Sequence, residues 1–165
     1  MQRKKMFTKN KNKKAPLPGG TILLNKLFEM KLPPDWTDQS IYRFEGPEED
    51  GIRHNIYLNI EHNVESGDII EYAQKNMNAV AQELQGYEEL KQGQVTLTNG
   101  IPAFEVVYKW CPVEDREVYQ RVVYVLIRHT GYILTATFSK KSWKTYGPVV
   151  NKILMSFSVP RFGER

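Results

Sequence analysis

Cysteine is nearly absent from this chain of 165 residues: Cys111 is the only one. A lone thiol cannot form an internal disulfide, so a disulfide-stapled fold is excluded, and so is a zinc site built on several cysteines. Histidine is scarce too. His54, His62 and His129 show no HxH, HxxxH or HExxH spacing, so no metal centre is expected. Nowhere do about 18 apolar residues run together, which leaves no membrane-spanning segment. The N-terminus lacks the apolar stretch of about 7–15 residues that a secretory signal needs. Cys111 lies too far along the chain for N-terminal lipidation. The expected compartment is therefore the cytoplasm. GxSxG, GxGxxG and GxxxxGKS/T are also missing, and Gly19-Gly20 precedes a strand pattern, so no helix N-terminus stands there to hold a phosphate.

What is present is an ordinary globular composition with an uneven charge. The net charge is +4, but residues 1–20 hold seven basic residues (Arg3, Lys4, Lys5, Lys9, Lys11, Lys13, Lys14) and no acid. The remainder carries sixteen basic against nineteen acidic residues, a net of −3. The basic pI belongs to a tail, which argues against a nucleic-acid-binding domain. The expected organisation is a disordered basic tail and linker over residues 1–21, one folded domain over 22–160, and a short tail over 161–165.

Hydrophobic periodicity predicts the elements. Residues 22–32 read as a first strand, stopped by Pro33-Pro34. Residues 40–45 alternate, with Tyr42 and Phe44 on one side and Ile41 and Arg43 on the other. Residues 54–62 alternate more cleanly, with Ile56, Leu58 and Ile60 inward. Ser66 or Asp68 can cap a helix whose Ile69, Tyr72, Ala73, Met77, Val80 and Leu84 recur at helical spacing, with Gly86 ending it. Residues 92–97 lead through Thr98-Asn99-Gly100, a hairpin signal, into a strand over 101–110. Residues 118–128 are apolar on both sides and read as a central strand, followed by a strand over 132–139. Residues 141–156 read as a helix that Pro148 should kink or split. The fold class is α+β, a largely antiparallel sheet of about six to seven strands with the helices packed on one face.

No constellation supports catalysis, and the chain is not expected to be an enzyme. Cys111 has no family signature around it and reads as a packed thiol. The acidic runs Glu48-Glu49-Asp50, Glu88-Glu89 and Glu114-Asp115 fall in turns and read as solvated loops. What stays unexplained is a sheet face of mixed character, made by Ile41, Arg43, Tyr57, Asn59, Glu105, Val107, Lys109, Tyr119, Arg121, Val123 and Val125. Such a face marks a protein contact.

The stretch from Leu32 to Phe44 carries P-x-x-W-x-D-x-S-I-x-x-F, on Pro33, Trp36, Asp38, Ser40, Ile41 and Phe44. Gly67-Asp68, Tyr72, Gly86-Tyr87, Asn99-Gly100-Ile101-Pro102-Ala103, Tyr108-Lys109-Trp110 and Tyr119-Gln120-Arg121-Val122 follow in order. This ordered set resembles the DcrB-related family over about residues 22–160. The resemblance implies a PsbP/Mog-type fold. Without a signal or a lipobox cysteine, the chain is most similar to the cytoplasmic Eag chaperones of bacterial type VI secretion. That similarity implies a homodimer that binds hydrophobic N-terminal transmembrane helices of a PAAR or Rhs effector and needs no cofactor. It places the client groove at Ile41, Arg43, Tyr57, Gln120 and Arg121, with Asn59, Val107 and Val123 as further groove positions. Arg43 stands where related chaperones are aliphatic, and the amide of the long strand is shifted to Gln120 or replaced by Arg121.

Overall fold

A computed structural model describes residues 20–24, 28–32, 36, 39–114 and 116–159. The chain forms two compact units, residues 1–38 and 39–165. In the first, β1 (Gly20–Leu24) and β2 (Phe28–Leu32) pair antiparallel, with Gly20 opposite Leu32. The single strand expected over 22–32 is therefore two strands, paired antiparallel. The polar Asn25-Lys26 interrupts that run, and pairing its two halves gives their backbone groups partners. The rest of the basic tail, the Pro33-Pro34 stop and residues 161–165 lie outside the described residues.

The second unit is one antiparallel sheet of six strands with two helices. Its elements are β3 (Ile41–Glu49), β4 (Ile52–Glu61), α1 (Ile69–Glu83), β5 (Glu88–Thr96), β6 (Pro102–Val113), β7 (Arg116–Ile127), β8 (Thr130–Phe138) and α2 (Lys140–Met155). The strand order is β3-β4-β8-β7-β6-β5, so β5 to β8 form a meander and β8 pairs back onto β4. The expected class and the central place of β7 are both found.

Local chemistry sets the boundaries. Asp68 accepts from the amides of Ile70 and Glu71 at 2.7 and 3.0 Å and caps α1. Asp50 and Gly51 turn β3 into β4 with φ of 54° and 68°, as a two-residue hairpin turn requires. Ser139 and Ser142 cap α2 reciprocally. Of the expected kink or split at Pro148, the split does not occur: the helix runs unbroken from Lys140 to Met155. It is held along its length by Trp143, Tyr146, Val150 and Leu154, which pack on the sheet.

The placement of the helices departs from expectation. Val122 and Tyr124 of β7 pack with Tyr72, Ala73 and Met77 of α1, along with Phe104, Val106 and Tyr108 of β6. Val123 and Val125 of β7 pack instead with Leu154 of α2 and with Leu134, Ala136 and Phe138 of β8. Neighbouring residues of a strand point to opposite faces. The two helices therefore cover opposite sides of the sheet, not one. Amphipathic spacing shows which side of a helix is inward; it does not say which face of the sheet receives it.

Candidate functional site

The register turns the sheet into rows of side chains. On the α1 side, Arg43 of β3 lies beside Tyr57 of β4, then Thr135 of β8, then Val122 of β7. The row before it runs Ile41, Asn59, Ile133, Tyr124. The row after it runs Glu45, Asn55, Thr137, Gln120, Tyr108. Helix α1 packs over the β6 and β7 ends of these rows. Ile133 of β8 borders the α1 core, but neither helix packs over the β3 and β4 ends, and Ile41 is 60% exposed.

Polar contacts hold this open part in shape. The Arg43 guanidinium pairs with Glu45 at 2.6 Å and sits 5.5 Å from the centre of the Tyr57 ring. Tyr108 donates to the Gln120 carbonyl oxygen at 2.8 Å, and the Gln120 amide donates to Thr137 at 3.2 Å. Gln120 is thus a bridge between the buried core and the open face. Burial raises the Tyr108 phenol well above its ordinary range, so it stays a donor even at alkaline pH. At the far end, Tyr72 of α1 donates to Glu61 at 2.8 Å. Burial, and then this bond to a carboxylate, push its phenol far up as well. Beyond it, Glu61, His62, Lys75 and Asn76 line a cavity of about 650 Å³ between the end of β4 and α1.

Of the positions expected to form one groove, the structure brings together Ile41, Arg43, Tyr57, Asn59 and Gln120. Arg121, Val107 and Val123 do not join them. They belong to the α2 side, because each is one residue out of phase with the open rows. Val107 and Val123 are buried there. Arg121 donates to Asn151 of α2 at 3.0 Å, contacts Glu105 at 3.4 Å and lies 5.1 Å from the Trp143 ring. Glu105, Lys109, Tyr119 and Val125, also expected on the mixed face, share that α2 side. Sequence reasoning missed Asn55, Ile133, Thr135 and Thr137, which complete the open rows. The alternation of Ile133, Thr135 and Thr137 against Leu134, Ala136 and Phe138 was the available signal.

Cys111 sits beside the Gly86 turn, where its amide donates to the Gln85 carbonyl at 2.9 Å. Among the described residues, no group of three or more histidine, cysteine, aspartate or glutamate side chains is placed to hold a metal ion. No described helix is long and apolar enough to cross a membrane.

A sequence model of the DcrB family matches residues 29–154, most of the chain. The chain belongs to the DcrB family. All the open rows of this DcrB-family protein lie inside the match. No curated protein matches it. Among solved structures, PA94 of Pseudomonas aeruginosa, a protein of unknown function, aligns at 22% identity and a TM-score of 0.70, over 86% of this chain and 96% of its own. That likeness shows a shared fold. The Saccharomyces cerevisiae Ran-binding protein Mog1p aligns at 13% identity and a TM-score of 0.48, over 83% of this chain and 85% of its own. Cyanobacterial PsbP from Synechocystis sp. PCC 6803 aligns at 12% identity and 0.47, over 76% of this chain and 96% of its own.

Proposed function

We propose that this DcrB-family protein is a cytoplasmic chaperone or adaptor, acting as a homodimer. It binds the hydrophobic N-terminal transmembrane helices of a type VI secretion effector of the PAAR or Rhs type and shields them until they are loaded onto the secretion spike. The observation that carries this reading is the open part of the α1-side face over β3, β4 and β8. Its dimensions suit a helix. Three strands span about 10 Å between outer axes, close to the diameter of an α-helix. Strands of nine or ten residues run about 30 Å, the length of a transmembrane helix. Its chemistry suits one too. Ile41, Ile133 and the Tyr57 ring offer apolar contact. Asn59, Thr135, Thr137 and the Arg43 guanidinium offer hydrogen bonds to small-residue backbone on the client. Gln120 supports the face through Thr137.

Co-expression with the N-terminal helices of an adjacent effector tests the proposal. The protein should co-purify with those helices and keep them soluble. Tyr57→Asp places a carboxylate in the middle row of the face, and it should abolish co-purification while circular dichroism and unfolding stay those of a folded protein. Undiminished co-purification of that variant moves the client site elsewhere. A protein that never co-purifies with effector helices fails the proposal. It would instead favour a DcrB-like envelope-associated binding protein without an effector client, a reading supported by family membership alone.

A further inference from the structure

The α2 side holds a second concavity. Between β3, β4 and α2 runs a groove of about 280 Å³ walled by Phe44, Ile56, Tyr146, Val149, Val150 and Ile153. Phe44, Val149 and Ile153 are 57%, 55% and 49% exposed, unusual for large apolar side chains that flank one groove. Glu45, Asn55 and Thr137 border it, but their side chains belong to the opposite face of the sheet. Besides the Tyr146 phenol, one polar side chain is left. His54 lines the groove and is 4% exposed. Its Nδ1 lies 2.6 Å from the Pro47 carbonyl oxygen. A carbonyl only accepts, so Nδ1 is the donor, and in the neutral ring Nε2 is then an acceptor. That Nε2 is buried and has no hydrogen-bond partner.

We propose that this groove anchors one aromatic side chain that carries a hydrogen-bond donor, tryptophan or tyrosine, projecting from a partner polypeptide. Three observations converge. The volume lies just under the range of about 300–1,000 Å³ typical of small-molecule sites and suits a single large side chain. An apolar wall with one buried, unsatisfied acceptor selects a ring with one donor. The adjacent strand edge is guarded against backbone pairing by Pro47 and by the irregularity between Glu45 and Glu48, so a partner is held by a side chain and not by an added strand. The site lies on the opposite side of the sheet from the proposed client face and does not depend on it.

The test titrates the full-length protein, isotope-labelled at its methyl groups, with indole and with benzofuran, the same shape without the N–H. Indole should shift the resonances of Ile56, Val149, Val150 and Ile153. It should bind about fivefold more tightly than benzofuran, the ratio one neutral hydrogen bond supports. The tripeptide Gly-Trp-Gly should shift the same methyl groups. His54→Phe should erase the preference for indole. Val149→Asp, at an exposed position that leaves the core intact, should weaken both ligands several-fold; it serves if His54→Phe does not fold. Equal affinity for the two rings, or shifts mapped elsewhere, overturns the proposal. Indole binding without Gly-Trp-Gly binding also overturns it, since the site would then take a free small molecule.

Discussion

Arg43 and Arg121 sit on one sheet, both expected in one groove, and the structure gives them opposite surroundings. Arg43 is about half exposed at the edge of the open face, paired with Glu45 and leaning over Tyr57. Arg121 lies under α2, where its guanidinium joins Glu105 of β6 to Asn151 and Trp143 of the helix. The first ion pair is solvent-screened and contributes little to folding. The second is shut away from water, where an unmatched charge is expensive. The same side chain is left open on one face and clamped between sheet and helix on the other, and what separates them is coverage by a helix.

The following changes probe that contrast, beginning with the largest. Arg121→Ala should cost about 3 kcal/mol in urea unfolding, because Glu105 keeps only the exposed Lys91 as a partner. Adding Glu105→Gln should recover part of that loss, and strict additivity of the two changes would show that the pair is not a unit. Gly131→Ala attacks the α1 side. A methyl group there would collide with the Tyr72 hydroxyl and ring. Tyr72 is buried and packed edge-on against Tyr124, so it cannot swing away freely. A loss of about 1–3 kcal/mol is expected, with faster amide exchange in α1 than in α2.

Alkaline pH gives a smaller and reversible change. Burial raises the Tyr108 and Tyr124 phenols above the ordinary value of 10.0. Groups raised in the folded state hold full stability below pH 10 and lose it as pH rises toward the folded value. At pH 11 each should cost about 1 kcal/mol. Tyr124→Phe should flatten the fall in thermal unfolding temperature between pH 9 and 11, and an unchanged slope would place the loss in other groups. Smallest of all, Arg43→Ala should change folding stability by less than about 0.5 kcal/mol. If Arg43 costs as much as Arg121, the open face is not open.

Much of the fold was legible from local signals. The Asp68 cap, the Asn99-Gly100 turn and the alternation of Phe104, Val106 and Tyr108 each act within a few residues, so the sequence displays them directly. Asp50-Gly51 was equally local but was absorbed into an acidic loop. Strand β5 begins at Glu88, ahead of the expected start, because pairing with β6 outweighs the weak strand preference of Glu88, Glu89 and Lys91. The candidate site was half legible. Ile41, Arg43, Tyr57 and Asn59 come from adjacent strands whose pairing a short turn fixes. Arg121, Val107 and Val123 were misplaced because their face depends on register across non-neighbouring strands.

The sequence by itself determined the periods, caps and turns, the concentration of positive charge in the first twenty residues, and membership of the DcrB family. These are properties of short segments or of the residue string. Tertiary structure decided which side of the sheet each helix takes, and with it which side chains are core and which are open. In a strand, a shift of one residue exchanges the two faces. No local pattern records which face another element will cover, so Gln120 and Arg121, neighbours in sequence, end on opposite sides of the sheet.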